Sequence, residues 1–329
     1  MSEKNKKIYH AILLVLSLAL FAGLIFYVQK NSNSFTQLKS VKLPFVVLLI
    51  LIHALYFWLL GMTHKLPLKK HNILLTFKEW YGLCMVSELF NMLLPANGGT
   101  GIRMLYIKDK KKLPMREFLA MSFAIVLIGF TFLGIMGIIY CEFFLKKNDT
   151  IFVLLESVFI ALAISGSILI FATETIAKFF KFKRKHSPKF YLKDYKLTAL
   201  ATLCWIGMFI LFPLKIYLSF LAIGIDLSFA QSFEISLILM VASLFQVLPG
   251  NIGVKEIITA YVAKQYGIPF ETALLASLID RTILLVFLFP VGFYFYWQLF
   301  LEVSIPQLNL PNLVSNLSMP FKKRINKSI

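Results

Sequence analysis

Long runs of apolar residues recur along this chain and constrain its fold more than any other feature. A helix that crosses a bilayer needs about 20 consecutive apolar residues, and six runs approach or exceed that length. The six predicted spans are approximately Tyr9–Val28, Pro44–Met62, Glu117–Tyr140, Ile151–Thr173, Leu197–Ala222 and Thr272–Leu299. Only 15% of the residues are charged, against about 25% in soluble domains. The sequence therefore predicts an all-α polytopic membrane protein with a single integral membrane domain over residues 1–329.

Lysine and arginine are concentrated in short loops between these runs and give the chain a net charge of +18. Such loops face the cytoplasm, so residues 64–78, 103–116 and 178–196 are predicted to lie there, together with both termini. The tail over residues 301–329 is part of this basic set. The longest basic run, residues 178–196, orients the chain and could in addition bind acidic lipid headgroups. This distribution indicates lipid contact and no nucleic acid partner.

Two further apolar segments are interrupted by helix breakers. The segment of residues 80–95 is short, contains Glu88 and Asn91, and is flanked by basic loops on both sides. This pattern predicts a re-entrant helical hairpin that opens to the cytoplasm; the alternative is an ordinary span that violates the positive-inside rule. Residues 228–266 are interrupted at Pro249 and must enter and leave from outside, because the last span has to run inward to the basic tail.

The two halves of the chain then have the same plan. Each half, residues 8–140 and residues 151–300, consists of two spans, a hairpin and a third span. The first half begins on the cytoplasmic side and the second half begins on the outside. The fold prediction is therefore two inverted-topology repeats, with six full spans plus two re-entrant hairpins. This plan is typical of secondary transporters, and interrupted segments at corresponding positions indicate the binding site.

The interruptions themselves suggest an anion site. Proline ends the first limb of each hairpin, and new helices are expected to start near Gly101 and Val254, with Asn97 or Thr100 and Asn251 as caps. Helix N-termini offer free N–H groups and a positive dipole to phosphate. The predicted residues for lipid phosphate binding are Arg103, Arg281, Asn97, Gly98, Gly99, Thr100, Gly101, Gly250, Asn251 and Gly253. The alternative is that the glycines only allow close helix packing.

Ionisable residues inside apolar segments support this hypothesis, since they normally face a partner or a cavity. The predicted charge network consists of Glu88, Glu256, Asp280 and Lys255. Neighbouring residues on a helix project about 100° apart, so Asp280 and Arg281 cannot pair with each other. One arrangement pairs Arg281 with Glu256 and lets Arg103 bind phosphate through its planar fork. The alternative is a salt-bridge network that only locks the hairpins.

Two more polar residues lie inside predicted spans. His53 is expected to hydrogen-bond a neighbouring helix, and Lys215 to snorkel or to join the same cavity. The cysteines Cys84, Cys141 and Cys204 are scattered and have no metal-ligand spacing. We find no catalytic triad, P-loop or paired acids in the sequence. The sequence therefore predicts no catalytic residues, no metal and no cofactor, and a protein that is not an enzyme.

Both interruptions carry a family resemblance. The residues of the first motif are Asn91, Pro95, Asn97, Gly98, Gly99, Gly101, Arg103 and Tyr106. Those of the second are Leu248, Pro249, Gly250, Gly253 and Glu256, with Gly267, Ala273 and Arg281. Together they resemble the flippase-like transmembrane domain of lysylphosphatidylglycerol synthases over about residues 8–300. Many stand-alone relatives carry a basic and an acidic residue near positions 97 and 100, where this chain has neutral residues.

The resemblance implies a stand-alone member without the soluble synthase domain, in the bacterial cytoplasmic (inner) membrane. Its implied activity is the movement of an anionic or aminoacylated phospholipid between leaflets. The alternative is a membrane accessory of polyprenyl-linked or glycolipid assembly that works with a glycosyltransferase. A third reading is an intramembrane transferase. The expected partners are the membrane and a phospholipid or lipid-linked substrate, with a separate synthase or glycosyltransferase as a further candidate.

Overall fold

The computed structural model describes residues 41–94, 97–144, 150–179, 188–244 and 249–301. The described residues form helices and contain no strand. The helices are α1 (Leu43–Leu68), α2 (Phe77–Leu93), α3 (Gly98–Lys111), α4 (Met115–Phe144), α5 (Thr150–Phe179), α6 (Pro188–Leu192), α7 (Tyr195–Ala222), α8 (Phe229–Leu244), α9 (Val254–Lys264) and α10 (Phe270–Tyr296). The predicted span Tyr9–Val28 and the basic tail beyond Leu301 lie outside these residues.

Five of the helices are long and apolar enough to cross a membrane: α1, α4, α5, α7 and α10. They coincide with the five predicted spans that fall within the described residues. The prediction of an all-helical membrane fold is therefore confirmed, with helix ends that extend a few residues beyond the predicted ones. The last span continues through a π-helical turn, Trp297–Leu301, as far as the predicted end near Leu299.

The spans pack through small residues as well as through apolar cores. Helices α4 and α5 form the most extensive contact, and a Cβ atom added to Gly134 would lie 2.4 Å from the backbone nitrogen of Ala163. Close backbone approach of this kind is how helices associate in lipid, where apolar burial alone gives little driving force. Helix α10 contacts α2, α7 and α9, so both halves of the chain meet on it.

Polar contacts gather three of the predicted cytoplasmic segments at one face of the bundle. Lys70 Nζ lies 3.4 Å from Asp194 Oδ2, and His71 Nδ1 lies 3.0 Å from Glu117 Oε2. At the other end of α1, the Lys42 amide donates to the Ala222 carbonyl at 3.1 Å. Because 26 helical residues span about 39 Å, these two groups of contacts mark opposite faces. We refer to the first as the basic face.

Helices α2 and α3 form a helical hairpin that opens at the basic face. Thr76 and Glu79 form a capping box at the start of α2, which satisfies two of its free N–H groups. Glu79 also pairs with Lys111 at the end of α3. The two limbs have 17 and 14 residues, fewer than the about 20 that a spanning helix needs. We call this unit hairpin 1.

Helices α8 and α9 form hairpin 2, which opens at the opposite face because α8 follows the end of α7. Its first limb also begins with a reciprocal cap: Ser228 N donates to Gln231 Oε1 at 2.9 Å, and Gln231 N to Ser228 Oγ at 3.2 Å. The limbs have 16 and 11 residues. The inverted symmetry of the two halves and the cytoplasmic side of the termini stay predictions.

Asp194 caps the start of α7 and ties it to the loop after α1. Its Oδ1 accepts from the Leu197 amide at 3.1 Å. This backbone hydrogen bond, together with the charge of Lys70, lowers the pKa of the Asp194 carboxyl. A lowered pKa in the folded state means that the stabilisation is present above the unfolded pKa and is lost as pH falls through the folded pKa.

We expect Asp194→Ala to lower the free energy of unfolding by about 1 kcal/mol at pH 7, the usual loss for an N-cap aspartate. The matched control is Asp226→Ala, which removes a carboxylate from an exposed loop and should leave stability unchanged. Thermal unfolding of the detergent-solubilised protein measures both. The difference between the two variants should shrink at acidic pH, and a constant difference from pH 7 to pH 3 would contradict this role.

Candidate functional site

A polar cavity of about 80 Å³ lies where hairpin 2 packs against α7 and α10. A single water needs about 10 to 15 Å³, so the cavity has room for a small polar group. Its charged lining residues are Lys215 from α7, Lys255 and Glu256 from α9, and Asp280 and Arg281 from α10. We call this space the central cavity. Three of these residues are cationic and two are acidic, so the lining carries a net positive charge.

Arg281 and Glu256 form the ion pair that the sequence suggested. Arg281 Nε donates to Glu256 Oε1 at 2.7 Å, and the side chain of Glu256 is only 3% exposed. The other carboxylate oxygen, Oε2, accepts from the Gly253 amide at 2.8 Å. Glu256 therefore holds the first turn of α9 and the guanidinium of α10 at the same time, and both of its oxygens are used.

Asp280 binds a different helix from its neighbour Arg281, as their angular separation on α10 requires. Its Oδ1 lies 3.1 Å from Nε2 of His53 on α1. His53 is 1% exposed, and its Nδ1 has no hydrogen-bond partner among the described residues. This contact joins residues 227 positions apart, and it gives His53 the neighbouring-helix partner that the sequence suggested.

Lys215 and Lys255 complete the cationic lining. The Lys215 ammonium lies 4.5 Å from the ring centre of Phe212 and 5.2 Å from that of Tyr56, so its stem is covered by aromatic rings. Among the residues that the structure describes, neither lysine forms an ion pair or a hydrogen bond through its ammonium. The acids Asp280 and Glu256 attract the two lysines from a longer distance, but they are already bound by His53 and Arg281. Because buried cations are costly, two ammonium groups without a direct ion pair make the cavity suited to an anion.

The end of hairpin 1 is organised by an asparagine inside α2. Asn91 Oδ1 accepts from the Gly99 amide at 2.9 Å, while its Nδ2 donates to Glu88 Oε1 at 3.2 Å. Helix α3 starts at Gly98, three residues earlier than expected. Asn97 occupies the N-cap position with a left-handed φ of 55°, but its side chain makes no capping hydrogen bond. The Asn91 side chain performs that role instead.

The end of hairpin 2 needs backbone conformations that favour glycine. Gly250 has φ +57° and Gly253 has φ +84°, both in the left-handed region that L side chains rarely adopt. The N-cap of α9 is Gly253, so Asn251 is not the cap, contrary to the expectation. The Gly253 amide that was expected to be free donates to Glu256. One of the free amides at the start of α9 is thus bound by the protein itself, and the charged groups that line the central cavity are side chains.

The two hairpins touch each other at these ends. A Cβ atom added to Gly250 would lie 2.5 Å from Met92 Sδ, and Arg281 Nη1 lies 3.5 Å from the same sulfur. Met92 also lines the central cavity. The sequence analysis did not select Met92, since a methionine in an apolar helix carries no signal by itself.

Arg103 does not reach the central cavity. Its Nε donates to Ser87 Oγ at 3.0 Å, and it borders a separate cavity of about 10 Å³ with His64, Lys65 and Trp80. Arg103 is 5% exposed, and its Nη1 has no hydrogen-bond partner among the described residues. The structure thus separates the two arginines that the sequence grouped together. Thr100 and Gly101 precede Arg103 on α3, and a Cβ atom on Gly101 would meet nothing within 4 Å.

In the described part of the chain, no three His, Cys, Asp or Glu side chains come together. Five apolar helices, together with a charged cavity where two of them meet the hairpins, define an integral membrane protein with an internal polar site. A sequence model of the family described as lysylphosphatidylglycerol synthase TM region matches residues 14–292. The chain belongs to this family, as its two motifs predicted. A comparison with curated proteins found no match.

Proposed function

We propose that the protein moves an anionic or aminoacylated phospholipid between the leaflets of a bacterial inner membrane. The observation that carries the proposal is the central cavity, where a net positive charge lies beside the contact between the two hairpins. A lipid headgroup has to cross an apolar layer, and buried cations compensate a phosphate along that path. Family membership supports the proposal, because its relatives include the membrane regions of lipid-modifying proteins.

Arg281 is the residue that we expect to exchange partners during transport. Its guanidinium binds Glu256 through Nε, and a planar fork can also bind phosphate oxygens in a bidentate way. An entering phosphate would compete with Glu256 for Arg281. Because Glu256 also caps α9 through Gly253, loss of the ion pair would loosen the first turn of α9. Binding of a headgroup would in this way be linked to movement of hairpin 2.

The proposed activity makes and breaks no covalent bond, so no catalytic group is required. Substrate enters the cavity from one leaflet, and relative movement of the two hairpins exposes it to the other. The basic face would lie in the cytoplasm, where lysine-rich segments attract anionic lipids. A separate synthase or glycosyltransferase would supply the lipid where it is a modified one.

Purified protein reconstituted into liposomes tests the proposal. We expect dithionite to bleach a fluorescent phosphatidylglycerol in both leaflets of liposomes that contain the protein, and only in the outer leaflet of protein-free liposomes. Lys264→Met is the matched active control, because Lys264 is exposed at the end of α9. If neither phosphatidylglycerol nor lysyl-phosphatidylglycerol becomes accessible, and the protein is folded and correctly inserted, the proposal is wrong.

A further inference from the structure

We infer that the headgroup bound in the central cavity is an anionic phosphate that carries no ammonium group. The two sources of such a group are the phosphodiester of a phosphatidylglycerol-type lipid and the phosphomonoester of a lipid phosphate. This inference rests on the proposed function and narrows it, because the proposed function allows both anionic and aminoacylated lipids. It follows from the ion pairs and hydrogen bonds that the charged residues of the cavity already form.

The acidic side chains of the cavity are engaged by the protein itself. Both oxygens of Glu256 are used, one by Arg281 and one by the Gly253 amide. Asp280 binds His53 through Oδ1, and it also lies in the field of Lys215 and Arg281. An incoming ammonium group would therefore have to compete with the protein's own groups for these carboxylates.

A third acid, Glu88, lies outside the lining of the cavity. It accepts a hydrogen bond from Asn91, and the cations near it are Arg103 and Lys255. The charge of Glu88 therefore already faces two cations of the protein. It offers no free counter-charge to the amine of an aminoacylated headgroup.

The cations, in contrast, are in excess. Lys215 is 8% exposed, and its ammonium lies over the rings of Phe212 and Tyr56. Among the described residues, neither Lys215 nor Lys255 forms an ion pair, and the acids that attract them at longer range, Asp280 and Glu256, already bind other groups of the protein. The two ammonium groups face one cavity from two different helices, α7 and α9. An anion placed between them gains two attractions, whereas a third ammonium would add like-charge repulsion at low dielectric.

Headgroup binding to the purified protein in a neutral detergent tests the inference. The probes are dihexanoyl phosphatidylglycerol, dihexanoyl phosphatidic acid, dihexanoyl phosphatidylcholine and the lysyl ester of dihexanoyl phosphatidylglycerol. The affinity of each probe is obtained from the rise of the midpoint of thermal unfolding with probe concentration. We expect one or both of the first two to bind at least about tenfold more tightly than the last two, because only they leave no ammonium to neutralise. The stronger of the first two then identifies diester or monoester. Equal or tighter binding of the lysyl ester overturns the inference.

Lysine variants locate the effect. Lys215→Met and Lys255→Met should each weaken binding of the preferred anionic probe about tenfold or more, and Lys264→Met should not. A cooperative thermal transition of each unliganded Met variant shows that it folds, because methionine is similar in length to lysine and the substitution removes only the charged end. If both Met variants fold and bind the anionic probe as tightly as the unchanged protein does, the inference is contradicted. If the variants do not fold, the comparison of the four probes on the unchanged protein decides the inference.

The two hypotheses can fail separately. If anionic headgroups bind tightly but no lipid moves in liposomes, the transport function is wrong and the inference about the headgroup still holds. If lysyl-phosphatidylglycerol moves as fast as phosphatidylglycerol and the two headgroups bind equally, the inference about the headgroup is wrong and the transport function still holds.

Discussion

Replacing Arg281 with glutamine is expected to destabilise the protein and to abolish lipid movement. The substitution leaves Glu256 as a buried carboxylate with one oxygen unpaired, because its side chain is only 3% exposed. Removing one partner of a buried ion pair typically costs about 3 to 5 kcal/mol, a large part of the about 5 to 15 kcal/mol that holds a protein folded. Thermal unfolding in detergent measures the first effect, and the liposome assay measures the second.

A paired substitution separates stability from function. Glu256→Gln combined with Arg281→Gln removes both charges of the pair, so neither partner is left as a buried ion without the other, and the two amides can still hydrogen-bond. We expect this double variant to recover most of the lost stability but none of the transport. A double variant as unstable as Arg281→Gln alone would show that the ion pair is not the source of the loss. Transport by Arg281→Gln at the unchanged rate would remove Arg281 from the proposed mechanism.

Replacing Gly99 with alanine is expected to separate the two limbs of hairpin 1. The added Cβ atom would lie 1.8 Å from the Ser87 carbonyl oxygen and 2.7 Å from Asn91 Oδ1. A backbone atom cannot rotate away, so α3 would have to move away from α2. Overpacking usually costs about 1 to 3 kcal/mol, and this contact should lie at or above the upper end of that range.

Gly101→Ala is the matched control, two residues along the same helix. A Cβ atom there meets nothing within 4 Å, so alanine should stabilise α3 by up to about 1 kcal/mol through its better helix propensity. The two variants add the same methyl group and should move the midpoint of thermal unfolding in opposite directions. If both variants behave alike, the close approach of α2 and α3 at Gly99 is not as described.

The sequence predicted the spans well because their cause is local. A run of about 20 apolar residues has few alternatives in a bilayer, and α1, α4, α5, α7 and α10 each contain such a run. The helix breaks at both hairpins were also predicted, since proline and glycine act within a few residues. The starts of α3 and α9 were predicted to within three residues. Asn97 occupies the N-cap position of α3 as predicted, but its side chain makes no capping hydrogen bond, and the cap of α9 is Gly253 and not Asn251. Asn91 reaches Gly99 from the preceding helix, which the spacing alone does not reveal.

Only some of the contacts between charged residues could be predicted from the sequence. The pair of Arg281 and Glu256 was suggested because ionisable residues inside apolar segments need a partner, whereas the contact between His53 and Asp280 depends on α1 packing near α10. The grouping of Arg103 with Arg281 followed from the expectation that the two hairpin ends converge on one site, and tertiary packing places the two arginines in different cavities. Lys215 is unusual inside a span, but whether it forms an ion pair depends on the folded chain.

The contact between Met92 and Gly250 has a mechanical consequence. The missing side chain at Gly250 leaves a notch that receives the sulfur of Met92, and a thioether is among the most adaptable groups in protein interiors. The two hairpins therefore meet through a flexible side chain, in contrast to the rigid backbone contact at Gly99 within hairpin 1. Sliding one hairpin past the other at this point would bend a flexible side chain, so this contact should resist movement less than a contact between two backbones.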